Sequence, residues 1–588
     1  MTEPASAALV ARVVPDVTGL DKHFDYLVPD EWRDRIAVGT MVRVSLANRR
    51  VGGWVVSVGP AGLDTPVGRL LPLAKVTGHG PSPDTVALAA WAAHRWAGPW
   101  RATLVSASPP GAVVGLPRPA HGGPVPEPVV ALAAAALAGG NVAVLRVPPA
   151  ADVVPSLLAA CRLGPALVVT PSVSQARLLA ARLRRSGRTV ALVPHEWASA
   201  AGGVDVVIGA RGTVWAPCAG MAAVVVIDEH DEALQEERQP TWHARDVAVE
   251  RAARAGVPCL LVSPCPSATA VAAVDPDAVV RPGVAIERNG WPLVDIVDRT
   301  REEPWQKSLA TSALIRQLRD SDRRVVCVLN TTGRAKVLAC RSCRTLQRCE
   351  VCEAAVAQRD DGHFVCGRCG TVRPPVCQVC GSSAFAALRV GVTRVREELE
   401  KAAGRPVVSV TGKDDVTEPV ADAGVYVGTE AVLHRVRSAD TVAFLDFDAE
   451  LLAPRYRASE QAMTLLARAA RLTGGRDRGG RILVQTFVPR HEVLDAILHA
   501  DPGRLTAKEL VRRRALRFPP FAAIASVTGT GAGEFAAMVT AHGATAAANL
   551  DGAVLLRSES WNTLAAAIAA TPRPKGSRLR IQVDPPRL

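Results

Sequence analysis

Between positions 340 and 380 the chain carries four Cys-x-x-Cys pairs: Cys340 with Cys343, Cys349 with Cys352, Cys366 with Cys369, and Cys377 with Cys380. One such turn points two thiolates at a single cation, a tetrahedral site takes two turns, and four turns hold two ions. The expected cofactor is a pair of structural Zn2+ ions. Eight thiolates leave no coordination position open to a substrate, so this metal would build fold rather than perform chemistry. The other five cysteines, Cys161, Cys218, Cys259, Cys265 and Cys327, are scattered through apolar segments. Disulfides would need an oxidising compartment, and the stretch MTEPASAALVARVV has an early acid and no uninterrupted apolar core of a secretory signal. A cytoplasmic location is expected.

Three pairings of the four turns are open. The thirteen residues between Cys352 and Cys366 suffice for a β-hairpin, which favours one site of Cys349, Cys352, Cys366 and Cys369. Cys340, Cys343, Cys377 and Cys380 then close a second site around it. A module this small is expected to have almost no apolar core, so coordination would supply much of its folding free energy, roughly 10 kcal/mol or more per site.

A second group of residues raises nucleotide chemistry. The run AAVVVIDEHD puts Asp228 and Glu229 at the end of an apolar strand, where a carboxylate pair could hold magnesium and polarise water. The plain alternative is a buried strand that simply ends in acids. A phosphate cradle in the form GxxxxGK[ST] would be its partner, and the chain has none. No lysine occurs between Lys75 and Lys307, and the expected strand-to-helix turn reads VAVLRVPPAADVVP over 142–155. Pro148, Pro149 and Pro155 lack amide protons, so this turn has lost donors as well as charge. Arg146 lies on the strand side of it. ATP turnover by the usual route is not expected.

These groups must be positioned by a multidomain α/β scaffold. At 588 residues the chain exceeds a single core and suggests about three to five domains. Residues 1–106 combine short strand-like runs with a closing helix, and 107–128 form a Pro/Gly linker. Apolar runs such as NVAVLRV, PALVVTP and AAVVVIDE alternate with helical stretches over 129–290, which predicts a parallel sheet covered on both faces. The same pattern resumes over 291–338 and 382–490, so the cysteine module at 339–381 is an insertion in a second lobe. Residues 491–588 mix one helix with strands and read as an α+β domain. The apolar run 129–145 is interrupted by Gly139, Gly140 and Asn141 and reads as helix, turn and strand rather than a membrane span. With 48% hydrophobic and 21% charged residues there is no signature of wholesale disorder. The net charge of +13, carried mainly by arginine, favours polyanions, with nucleic acid the first partner to expect.

Taken in order, these pieces resemble the primosomal protein N′ family, the PriA replication-restart helicases, over nearly the whole chain. The resemblance rests on HFDYLVP followed by GTMVRV, on VVVIDEHDEALQEERQPTWHARDVAVERA, and on VCVLNTTGRAKVLACRSC leading into the eight cysteines. FLDFDAELLAPRYRASEQ, RFPPF and the terminal IQVDPP complete it. It implies two RecA-like helicase lobes with an inserted two-zinc module, an N-terminal β-rich DNA-binding domain and a C-terminal α+β domain. It also implies nested zinc ligands. By the same resemblance the first domain captures the 3′ end of a nascent strand through Phe24, Asp25 and Tyr26, with Gly39 at the entry of the following strand. Asp25 would accept a hydrogen bond from the terminal 3′ hydroxyl. Implied partners are forked DNA with a 3′ end, single-stranded DNA-binding protein and other primosome proteins that load the replicative helicase, and no membrane.

The departures point one way. The phosphate loop is absent, the family's DEEH stands as Asp228, Glu229, His230 and Asp231, and its glycine-rich arginine-finger motif becomes LLARAARL, keeping Arg468 and Arg471. Gly428 and Thr429 survive as VGTEA. The linker at 109–128 leaves no room for the family's winged helix. The expected function is a replication-restart protein that binds stalled forks and helps load the replication machinery without helicase activity, its nucleotide site of Asp228, Glu229, Arg468 and Arg471 being degenerate. The zinc module, with Arg341, Arg344, Arg348 and Arg359 nearby, would dock protein or DNA. The rivals are an active ATP-dependent 3′ to 5′ helicase and a zinc-ribbon adaptor that binds only proteins.

Overall fold

The computed structural model describes residues 8–60, 67–125, 130–301, 308–330, 338–359, 361–387, 392–412, 420–548 and 553–586. The amino-terminal stretch 1–7, part of the Pro/Gly segment at 126–128 and the run 331–337 before the first cysteine lie outside the described residues.

Valine-rich strands with no polar face can only be buried on both sides, and they assemble into two wholly parallel sheets. The first has the order Val279–Val280, Val142–Arg146, Cys259–Ser263, Ala223–Ile227, Ala166–Val169, Val206–Gly209, Val190–Leu192. Val224, Val225, Val226 and Ile227 are completely buried in its centre. The second has the order Leu293–Asp298, Arg481–Thr486, Thr441–Phe444, Val325–Val328, Val425–Gly428, Val407–Val410. These are the two helicase-like lobes. Parallel register matters for the site: Ser263 sits beside Arg146 and Ile227 beside Val262, so Arg146, Ser263, Asp228 and Glu229 share the carboxyl edge of lobe 1. In open α/β sheets that edge is where ligands bind.

A five-stranded antiparallel sheet precedes the lobes, in the order Phe24–Leu27, Leu9–Pro15, Arg49–Pro60, Met41–Leu46, Lys75–Gly78. The helix Pro83–Arg95 follows it, started by Ser82, whose hydroxyl accepts from the Thr85 amide, with a proline in its first turn. Its Arg95 lies over the Trp561 ring at 4.0 Å, which joins this domain to the C-terminal one. The C-terminal sheet has the order Thr545–Ala548, Val554–Ser558, Ala523–Thr530, Arg578–Val583. Its last strand is tied to both lobes. The Asp584 carboxylate accepts from Tyr456 Oη at 2.6 Å and Arg457 Nη2 at 2.8 Å, while Thr241 Oγ1 donates to the Val583 carbonyl at 2.9 Å. The helix Glu492–Leu498 packs Val493, Leu494 and Ile497 into the core of lobe 2. Among the described residues no helix is long and apolar enough to cross a membrane.

Candidate functional site

The thiols converge in two sets among the described residues, Cys340, Cys343, Cys377 and Cys380, and Cys349, Cys352, Cys366 and Cys369, each with all Sγ atoms within 4.8 Å of one another. The four turns share one backbone design. The amide that follows the second cysteine donates to the carbonyl of the first, from Arg344, Glu353, Gly370 and Gly381, at 2.8 to 2.9 Å. Each of those four residues has a left-handed φ, of 65°, 59°, 78° and 74°. Glycine takes that conformation freely, which accounts for Gly370 and Gly381; Arg344 and Glu353 adopt it at a cost. Neighbouring sulfurs approach to 3.4 to 3.5 Å, near the ~3.8 Å edge of a tetrahedron built on 2.3 Å zinc–sulfur bonds. Donor type, number and convergence fit a divalent thiophilic cation. Burial pushes the thiols of Cys161, Cys259 and Cys327 up to about 12, so these remain neutral packing residues.

The module has more interior than its composition suggests. Ala354, Val356 and Phe364 form a small core with Phe385 and Leu516, and Gln347, Arg368 and Arg373 are buried rather than displayed. Arg368 donates to the carbonyls of Cys352 at 3.1 Å and Ala453 at 3.0 Å, and the Ala355 amide to Leu452 at 2.8 Å. One metal site is thereby fastened to lobe 2. Arg341, Arg344 and Arg359 are exposed, and Arg348 is half-buried.

At the carboxyl edge of lobe 1 every sequence-marked charge has a protein partner. Asp228, at φ 52°, accepts from Arg471 Nη2 at 2.6 Å, Arg471 Nη1 at 2.8 Å and Gln175 Nε2 at 3.0 Å. Burial alone would raise its pKa; the Arg471 guanidinium and these bonds hold it down instead, at about 2. Glu229 is fully buried and accepts from the Ser267 amide at 2.7 Å, Ser267 Oγ at 2.8 Å and Arg245 Nη1 at 3.4 Å. Asp231 accepts from Arg468 Nη2 at 2.9 Å, and the other end of that guanidinium meets Glu430. His230 faces Ser263 Oγ at 2.8 Å, and burial lowers its pKa.

Arg468 and Arg471 belong to the lobe 2 helix Ala458–Thr473, three residues apart and hence on one face. They cross to lobe 1. Arg471 also donates through Nε to the Pro149 carbonyl at 2.9 Å, inside the turn where a triphosphate would be cradled. Several of that turn's other donors are spent or missing. The Val147 amide is spent on Ser263, the Val154 amide on Asp152, and Pro148 lies where a Cβ on Gly290 would meet it at 2.3 Å. Arg146 is 4% exposed and paired with Glu287 and Asp501. A cleft of about 790 Å³ opens between the lobes beside His230, Arg437, Arg457 and Arg468, and no residue of 142–155 lines it.

The remaining marked residues lie elsewhere. In the edge strand Phe24–Leu27, Phe24 packs against the domain core and Tyr26 is buried, donating to the Ser45 carbonyl at 3.1 Å, so alternation turns Asp25 outward. Asp25 meets Arg12, with Nε to Oδ1 at 2.8 Å and Nη2 to Oδ2 at 3.1 Å, and this pairing keeps its carboxyl below the usual range. Gly39 does not join that group. It has φ 95°, lines a separate cleft with Pro81, Ser82 and Trp197, and any Cβ would strike the Pro81 carbonyl at 1.7 Å. Gly428 has a similar packing reason, since a Cβ there would lie 1.8 Å from the Val410 carbonyl. Arg12, Gln175, Arg245, Ser267, Glu287 and Glu430 carried no mark in the sequence.

Two helicase-like lobes, an insertion with two four-cysteine groups in the second and a β-rich domain before them define a multidomain, helicase-like class of protein. Residues 12–109 match the PriA family model described as 3'DNA-binding domain (3'BD). The chain is 29% identical over 588 residues to the probable replication restart protein PriA of Mycobacterium bovis, covering 87% of this chain and 85% of that one. It is 32% identical over 353 residues to its counterpart in Mycobacterium leprae, covering 56% and 53%, and 24% identical over 347 residues to replication restart protein PriA of Bacillus subtilis, covering 55% and 43%. The match thus spans about half the length of the latter two relatives. These matches support a member of the PriA family.

Proposed function

We propose that this protein acts in replication restart by binding forked DNA through a free 3′ end and supporting assembly of the replication machinery on it, without driving strand separation by ATP. The observation that carries the reading is the filled triphosphate position: prolines without amide protons, an Arg146 held by Glu287 and Asp501, and an Arg471 that spends itself on Asp228 and Pro149. An arginine that crosses between lobes can stabilise phosphate charge when nucleotide is present; here it neutralises a carboxylate of the opposite lobe. Such pairing favours a closed two-lobed body in the absence of nucleotide. In this reading the two metal sites hold Zn2+, and they stiffen a platform on lobe 2 for primosome partners, including single-stranded DNA-binding protein. The net charge of +13 supports salt-sensitive binding to the DNA backbone.

The test is steady-state ATP hydrolysis by the purified chain with forked DNA and magnesium. The expected result is no turnover above that of a Glu229→Gln variant. Glutamine is chosen because it keeps an acceptor for the buried Ser267 amide. Turnover of about 1 per second or more, within the ordinary enzyme range and lost in Glu229→Gln, would overturn the reading.

A further inference from the structure

We propose that Arg12 sets the chemical selectivity of the end-binding site: by clasping Asp25 at two points it presents a hydroxyl acceptor and withholds its own charge from phosphate. This rests on the reading of Asp25 as the group that meets the strand's 3′ end. Arg12 and Asp25 are direct cross-strand partners, and Ser57 continues the row on the next strand. All three face out from a sheet whose opposite face buries Ala11, Val13 and Tyr26. The strand bearing Asp25 is the sheet's edge; on its far side the segment 71–73 bonds to Leu27, at the end of the strand.

An ionised carboxylate only accepts hydrogen bonds, and its two oxygens offer about four lone-pair positions. The guanidinium takes one on each oxygen in a fork-to-fork pair, which fixes the plane of the carboxylate and leaves the outer lone pairs for a hydroxyl. A terminal phosphate has no fit there. It carries a charge of about −1.5 to −2 at neutral pH and would face the carboxylate directly. Arg12, the cation against this carboxylate, is already engaged. Lys22 and His23 are exposed just before Asp25 and suit the preceding backbone phosphates instead. With side-chain exposures of 47% and 28%, the pair contributes little to stability, so either member can be replaced in a folded protein.

The experiment measures binding of the full chain to a labelled single strand ending in a 3′ hydroxyl or a 3′ phosphate, with an endless circular strand as reference. The unaltered protein is expected to prefer the hydroxyl end roughly tenfold, the scale of one hydrogen bond to a charged group. Arg12→Gln should narrow that ratio by weakening the hydroxyl end, whose acceptor has lost its fixed plane, while the bare Asp25 carboxylate still excludes the phosphate end. Asp25→Asn should invert the preference, because the freed guanidinium now receives phosphate, and the double variant should show none. The proposal is overturned when Arg12→Gln weakens both ends and the circle by one common factor, as a plain backbone contact would. It is equally overturned when Asp25→Asn leaves the phosphate end as weak as before. An unaltered protein that binds both ends and the circle alike removes the end-binding reading itself. An undiminished preference in Arg12→Gln removes only the role of Arg12.

Discussion

The cysteine module and the carboxyl edge of lobe 1 are both clusters of ionisable side chains, yet they are finished in opposite ways. In the module eight thiols of one kind crowd to 3.4 to 3.5 Å, and the buried Arg368 and Arg373 beside them donate to carbonyls rather than to sulfur. Deprotonated, they repel, and only a cation between them resolves the geometry. On the lobe edge the charges alternate in sign and satisfy one another: Asp228 with Arg471, Asp231 with Arg468, Glu229 with Arg245, Arg146 with Glu287. A cluster of converging thiols could hold a metal ion. A cluster whose charges pair with one another leaves fewer of them for a ligand.

The largest effect should come from breaking the first region. Chelation, or Cys352→Ser, removes coordination worth roughly 10 kcal/mol per site. Local unfolding of 338–387 is expected, read as hydrogen exchange in that module while the lobe sheets stay protected. A module protected equally with and without metal would place it among self-satisfied clusters.

In the second region two neighbouring carboxylates should behave unequally. Glu229→Ala leaves Arg245 buried beside Asp246 alone, and breaking a buried pair costs about 3 to 5 kcal/mol. Asp228→Ala should cost clearly less, about 1 to 2 kcal/mol, since Arg471 is 43% exposed on its side chain and can turn to water. Denaturant midpoints of the two variants test the order, and equal losses would mean that Arg471 has no such escape.

A third effect concerns pH. Burial lowers the pKa of His243, and that of His491 to about 4, and each uses Nδ1 as an acceptor for the amide that starts a helix, Arg245 and Val493 respectively. A folded pKa below the unfolded value of about 6.5 means that the neutral ring stabilises the fold above that pH. That contribution is lost as pH falls from about 6.5 toward 4. Unfolding free energy should decline across this window, and His491→Gln should flatten the decline; an unchanged slope would show that His491 titrates normally.

What could be read from sequence follows the range of the interactions. The cysteine turns are four residues long, and their grouping depends on a hairpin-sized loop, so spacing carries the information. The buried strands announce themselves because a parallel sheet leaves no polar face, as in Val224–Ile227. The missing lysine and the prolines of 142–155 are equally local. The destination of Arg471 is not, for its partner lies 243 residues away and depends on how the lobes meet. The bonds that hold Glu229 come from Ser267 and Arg245, two residues with no distinguishing spacing. Arg12 becomes visible beside Asp25 only when strand register is known, and the close approach of Gly39 to the Pro81 carbonyl only when the chain is folded.

The central claim is that a filled phosphate position and a fork-binding surface coexist in one chain. A fluorescent forked duplex with a free 3′ end, incubated with this protein and then with magnesium and ATP, tests it most directly. The account predicts tight, salt-sensitive binding and no release of either strand on adding ATP. ATP-dependent release by this chain alone would contradict it.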